Sequence, residues 1–172
     1  MEIKALMSMA MAVSSQSKCP SHKVGTIIFK DGRPLVSGVN GTREKGVNPD
    51  EYAVSQGWAI RVGKQVRLFP VHEDKYSAWA NDNVVHSEMN AILYAARAGL
   101  SVEGATLVTT LSPCNNCAKH IAAAKIKKVV YHTRYSKSKD GWEKALTDQG
   151  IIVEQCNDLI DVLNCEVRVE RT

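Results

Sequence analysis

From residue 105 to residue 156 the chain alternates short β-branched runs with longer amphipathic ones: "ATLVTTL", "PCNNCAKHIAAA", "KKVVYHT", "DGWEKALTDQG" and "IIVEQC". The first, third and fifth have the length and residue types of strands. The second and fourth are spaced as helices, one with Pro113 near its first turn and one running to Gly150. Strands separated by helices pair in parallel through right-handed crossovers, because a tight turn can join only antiparallel neighbours. Upstream, "KVGTIIFK" and "LVSGVN" are joined by Asp-Gly, the strongest short signal of an antiparallel hairpin. A hairpin beside a parallel half implies an α/β protein with a mixed five-stranded sheet and helices on both faces, a three-layer α/β/α arrangement.

Two further helices are expected. At the start of the chain Ile3, Leu6, Met7, Met11 and Val13 mostly fall at helical spacing, and no basic segment precedes them as in a secretion signal. In "SEMNAILYAARAG", Met89, Ile92, Leu93 and Ala96 make one apolar stripe and Gly99 supplies the residue that ends the helix. Between the hairpin and this helix, from about 42 to 83, periodicity is lost and Gly, Pro, Asn and charge collect, apart from one short helix expected around 52 to 60. Such a stretch reads as a functional insertion or as a partly disordered one. At 172 residues the whole chain, 1–172, reads as one domain.

A hydrophobic fraction of 44% and a charged fraction of 23% are those of a soluble globular protein, with no apolar run long enough for a bilayer. Five cysteines, an odd number containing one tight pair, point to a reducing, cytoplasmic setting and to metal or catalytic use. The net charge of +4 is spread out except for "KIKK" (125–128) and "RYSKSK" (134–139), which suits a small anionic ligand and makes nucleic acid or membrane partners unexpected. "KIKK" also reads simply as solvated lysines.

Cys114 and Cys117 supply two of the four positions that zinc prefers, so other ligands must come from elsewhere. Of His22, His72, His86, His120 and His132, only His86 has a carboxylate placed for chemistry. His86 and Glu88 sit at the mouth of one helix, and Cys114 and Cys117 at the mouth of the next. The positive ends of the helix dipoles stabilise thiolates there. Three ligands leave a fourth position open to water, and Glu88 lies within reach as a proton shuttle that does not bind the metal. Taken alone, C-x-x-C reads about half the time as no more than a structural zinc half-site or a redox pair. Joined to H-x-E at consecutive helix starts, with Pro113 ahead of the first Cys, it is far more specific.

"HSE" with "PCNNC" matches the zinc nucleobase-deaminase signature H-x-E…P-C-x-x-C. With "SSQSKCPSHKVGTII", "VSGVNGT", "HSEMNAILYAARAG" and "TLSPCNNCAKHI", nearly the whole chain resembles the deoxycytidylate deaminases of the zinc-dependent cytidine/deoxycytidylate deaminase family, especially the phage type. The resemblance implies a cytidine-deaminase-like fold and one catalytic Zn²⁺ on His86, Cys114 and Cys117. It also implies Glu88 as general acid/base and hydrolysis of dCMP to dUMP and ammonia, feeding thymidylate synthesis. It places Asn40 on the sugar and Tyr135 on the substrate; from the residues themselves, the Ser112 carbonyl is the candidate partner of the leaving amine, and Arg134 with Lys137 of a phosphate. The plainer readings are an Asn-Gly turn for Asn40 and solvated cations for Arg134 and Lys137.

Members of the family are commonly homo-oligomers, frequently hexamers, activated by dCTP and inhibited by dTTP bound with Mg²⁺. Gly41, Gly46 and Arg97 are the candidate effector contacts, although Arg97 also simply complements a helix dipole. Two departures stand out. Ser87 occupies a position usually held by Ala, a change expected to be tolerated because the position contributes mainly backbone and small size. Some phage relatives carry a second, structural zinc; Cys19 matches one of its ligands, but Pro49 and Tyr76 stand where others would be needed. His120 is expected to face away from the metal, and His132, Cys156 and Cys165 to belong to core or surface. Two rivals remain open: a tRNA or single-stranded-DNA deaminase, and a non-catalytic zinc module closed by His120 or Cys19.

Overall fold

The computed structural model describes residues 1–136 and 140–157. Helix α1 (Ile3–Ser14) leads to strands β1 (Gly25–Lys30) and β2 (Arg33–Val39). Asp31 and Gly32 both have positive φ, 51° and 79°, the backbone of the two-residue turn that returns a strand on itself, and β1 and β2 pair antiparallel as expected. After β3 (Gly41–Thr42) comes the insertion, with helix α2 (Pro49–Ser55), strands β4 (Ala59–Val62) and β5 (Gln65–Leu68), and helix α3 (Glu73–Asn83). The alternating half follows: β6 (Val84–Val85), α4 (Ser87–Arg97), β7 (Thr106–Leu111), α5 (Asn115–Ala123), β8 (Lys128–Thr133), α6 (Trp142–Thr147) and β9 (Ile152–Gln155).

The five-stranded sheet has the order β2-β1-β7-β8-β9. β1 is antiparallel to both neighbours, and β7, β8 and β9 run parallel. Consecutive residues of a strand face opposite ways, so the pairs Ile27/Ile28, Leu107/Val108 and Val129/Val130 serve two cores. Ile27, Val108 and Val130 pack under Leu6, Met7 and Ala10 of α1. Ile28, Leu107 and Val129 pack under Ala91 and Ala95 of α4, Ala118 and Ile121 of α5, and Leu146 of α6. The sheet is thus mixed, with helices on both faces, and no helix of the described residues is long and apolar enough to cross a membrane.

Four local expectations are corrected. The buried face of α4 carries Ser87, Glu88, Ala91 and Ala95, while Leu93 is 52% exposed and Ala96 is exposed too. The reason is proximity: a Cβ built on Gly38 of β2 would lie 2.1 Å from the Ser87 carbonyl oxygen and 2.9 Å from the Ala91 Cβ, so only small side chains fit between helix and sheet. Pro113 precedes the cap of α5 instead of lying in its first turn, and α6 ends at Thr147, with Gly150 (φ 74°) in the turn that enters β9. The short helix expected around 52 to 60 is α2, which ends at Ser55, and β4 begins at Ala59. The rest of the insertion is ordered as well. It has its own apolar centre of Ala53, Ala59 and Tyr76, flanked by Trp58 and Trp79, with Tyr52 stacked on Trp79 at 4.2 Å and 9°.

Candidate active site

Two helix starts converge at one edge of the sheet. The short β3–β6 ladder pairs Gly41 with Val85 and delivers His86 as the N-cap of α4. β7 ends at Leu111, the Ser112 N–H donates to the Thr133 carbonyl (2.8 Å), and Cys114 caps α5 with Cys117 in its first turn. This edge lies at the carboxyl ends of the parallel strands, where crossovers open a crevice in sheets of this kind.

The His86 Nδ1 atom is 3.5 Å from Cys114 Sγ and 3.4 Å from Cys117 Sγ, and the three donor atoms lie within 4.8 Å of one another. Tetrahedral zinc, with bonds of about 2.3 Å to sulfur and about 2.0 Å to nitrogen, separates such ligands by about 3.5 Å, so the donor set fits the ion. Among the described residues no further His, Cys, Asp or Glu joins the cluster. His120 turns its Nδ1 to the Asn116 carbonyl of its own helix at 2.6 Å, and the Cys19 thiol faces the Asn40 carbonyl at 3.8 Å. Neither closes the fourth position, and His120 faces away as expected.

The two thiols share one hydrogen bond that favours the thiolate on Cys114. The hydrogen bond from Cys117 holds Cys114 down to about 3, and the same contact together with burial pushes Cys117 up. The bond with Cys114 raises His86. Glu88 is 4% exposed, and burial raises its carboxyl above the ordinary carboxylate value. Ser87 Oγ donates to Glu88 Oε2 at 3.0 Å, so the position contributes more than backbone and small size.

Glu88, His86 and Cys114 line a cavity whose other walls include Asn40, Ser112 and Tyr135. Asn40 is more than a turn residue: Oδ1 accepts from the Val24 N–H and Nδ2 donates to the His22 carbonyl, both at 2.8 Å, bracing the loop before β1. Ser112 Oγ accepts from the Tyr135 N–H at 2.8 Å, and the Tyr135 ring meets the His22 ring edge-on at 5.5 Å. Arg134 does not line this cavity; it sits at the surface, 3.5 Å from Glu143. Lys137 lies outside the described residues. Gly46 donates its N–H to the Arg43 carbonyl in a tight turn, Gly41 belongs to β3, and Arg97 lies over the Tyr94 ring at 5.5 Å, away from the cavity.

Sequence reasoning missed one wall entirely. Tyr76, Ser77, Ala80 and Asn81 of α3 line the cavity opposite the metal ligands, and so does His22. The only available signal was the i, i+4 recurrence of Tyr76 with Ala80 and of Ser77 with Asn81, too faint in the polar run "EDKYSAWANDN" to mark a face.

An open zinc site at paired helix starts, with a buried carboxylate beside it, defines a hydrolytic metal centre. Residues 1–133 match the model of the cytidine and deoxycytidylate deaminase zinc-binding region, and the chain belongs to that family. It is 42% identical over 171 residues to the deoxycytidylate deaminases of Enterobacteria phages T2 and T4, covering 89% of this chain and 91% and 89% of those proteins. The crystal structure of the dCMP deaminase from cyanophage S-TIM5, in complex with dCMP and dUMP, superposes with a TM-score of 0.64 at 30% identity, covering 87% of this chain and 93% of that one.

Proposed function

We propose that the protein hydrolyses dCMP to dUMP and ammonia, supplying dUMP for thymidylate synthesis. The observation that carries this reading is the cluster of His86, Cys114 and Cys117 with the buried Glu88 in one cavity, in a chain alike over most of its length to phage deoxycytidylate deaminases. Bound zinc supplies a Lewis acid that brings the pKa of a coordinated water toward neutrality. The protein does the rest. As water adds to C4 of the cytosine, Glu88 takes its proton and passes it to N3. Glu88 then takes the remaining proton of the hydroxyl added at C4 and gives it to the amine, so that the C4–N4 bond breaks as the C4 carbonyl forms. The Ser112 carbonyl accepts a hydrogen bond from the departing amine, Asn40 meets the sugar, and Tyr135 closes over the substrate.

The phosphate end has two candidate sets of cations. Arg134 and Lys137 follow β8. A second cavity shares Ser21, His22 and Ser77 with the first and is bordered by Arg67 of β5 and by the carboxylate of Glu73. Arg67 makes no ion pair among the described residues, whereas Arg134 is paired with Glu143. If either set holds the phosphate, deoxycytidine loses more than about tenfold in kcat/KM relative to dCMP, the loss of one charge-assisted contact. Arg67→Ala and Arg134→Ala show which set it is.

Ammonia release at equal protein and zinc tests the reading against its rivals. Turnover of free dCMP is expected. Turnover only of tRNA or single-stranded DNA indicates a polymer deaminase, and no turnover at all a zinc-stabilised binding module. Regulation belongs to the same proposal: dCTP with Mg²⁺ activates and dTTP inhibits a homo-oligomer, a hexamer by family resemblance. Supporting it, Arg97 ends the helix whose first turn carries Glu88, beside the exposed Leu93, Tyr94 and Leu100. Gly41 pairs with Val85 of β6, whereas the Gly46 N–H is taken by the Arg43 carbonyl. Saturation curves for dCMP that superimpose with and without either triphosphate, or an Arg97→Glu protein with unchanged assembly and response, rule regulation out.

A further inference from the structure

We infer that Ser87 is a positioning residue, which fixes the Glu88 carboxylate through a chain of buried hydroxyls anchored in the sheet; the inference rests on reading Glu88 as the proton shuttle. Ser87 Oγ donates to Glu88 Oε2 at 3.0 Å. Behind it, Thr26 Oγ1 lies 2.8 Å from Ser87 Oγ and 3.1 Å from Thr109 Oγ1. Thr26 and Thr109 are direct partners across the β1–β7 ladder, and Ser87, Thr26 and Thr109 are each 0% exposed.

Hydroxyls closed off from water are costly unless bonded, and valine would fill the same space in β1 or β7 without that cost. Three such groups in a row, ending on a carboxylate, satisfy one another. Each carries one proton. Thr26 gives its proton to Thr109 at 3.1 Å, so its oxygen accepts in the 2.8 Å contact and Ser87 shares one proton between Glu88 Oε2 and Thr26 Oγ1. Ser87 cannot drift, because its carbonyl is pressed against Gly38 and it occupies the first turn of α4. Oε2 is therefore held as an acceptor, and Oε1 is left as the oxygen that exchanges protons with water and substrate. A shuttle works through a fixed oxygen at a fixed distance, so its orientation bears on the rate more than on binding.

The test uses the full-length zinc-loaded protein with dCMP. Ser87→Ala is expected to lower kcat about tenfold, the loss of a hydrogen bond to a charged group, with KM and zinc content unchanged. Thr26→Val is expected to give a smaller fall that does not add to that of Ser87→Ala, and Thr26→Ser, which keeps the hydroxyl, to restore the parental rate. A crystal structure of the Ser87→Ala protein is expected to show Glu88 in more than one side-chain conformation. A kcat within about twofold of the parent overturns the inference. So does a loss confined to KM or to zinc content. If the parental chain leaves dCMP unchanged, the proposed reaction is what fails. The positioning role then stands on the crystal structure alone, and a single, unmoved Glu88 conformation overturns it.

Discussion

At the residue scale, the cluster separates two jobs that look alike in sequence. His86, Cys114 and Cys117 bring donor atoms to one point, while Glu88, two residues from His86, sits beside that point and outside the donor set. Glu88→Gln is therefore expected to keep one zinc per chain and the fold but to lose turnover by roughly 10²–10⁴-fold, the usual share of general acid–base catalysis. Cys114→Ser is expected to lose zinc and thermal stability together. Metal analysis beside activity checks both, and equal zinc loss in the two variants would make Glu88 a ligand. A pH dependence follows as well. Burial raises the Glu88 pKa above its unfolded value, so the stability contributed by its neutral form is present at low pH and lost as pH rises through the folded value. The glutamine variant escapes that loss, and its Tm relative to the parent is expected to be more favourable at pH 8 than at pH 5 in matched thermal melts.

At the scale of elements, close approach of helix and sheet decides where Glu88 stands. Gly38→Ala puts a Cβ against the α4 backbone, and Gly25→Ala puts one 2.2 Å from the Ala10 carbonyl of α1. Each is expected to cost about 1–3 kcal/mol or more in urea unfolding. Only the Gly38 change displaces the first turn of α4, so its activity is expected to fall further than its stability explains. Gly41→Ala, with open space around it, is the control and is expected to stay within about 0.5 kcal/mol. These contacts also show why α4 was legible as a helix while its buried face was not. The apolar stripe of Met89, Ile92, Leu93 and Ala96 follows helical period, but the nearness of β2 selected the small residues Ala91 and Ala95 for the interface.

At the scale of the molecule, the ligand set spans the starts of two successive helices, α4 and α5, and the insertion closes the cavity over them. Because no single helix supplies the complete ligand set, zinc binding stabilises the joined α4–α5 edge, so a chelator is expected to lower Tm and added zinc to restore it. The α3 wall is held by aromatic packing, chiefly Tyr52 stacked on Trp79. Trp79→Ala is expected to loosen that wall and raise the KM for dCMP several-fold while zinc content stays the same, a result read from saturation kinetics beside metal analysis.

The strand–helix alternation, the Asp-Gly hairpin and the pairing of "HSE" with "PCNNC" are local patterns, each set by neighbouring residues, and sequence alone determined from them the mixed sheet and the ligand triad, with Glu88 beside it. The α3 wall escaped because its helix buries little beyond Tyr76, and a polar helix with one buried anchor has no period to read. Ser87 looked like a small residue in an alanine position. Only folding brings Thr26, distant in the chain, against its hydroxyl, with Thr109 behind Thr26. Arg134 follows a strand that the sequence shows, while Arg67 lies in the insertion, where no strand was legible. Which of them borders the cavity system was decided by the path of the insertion, because a side chain's neighbours across the fold depend on packing that no local pattern encodes.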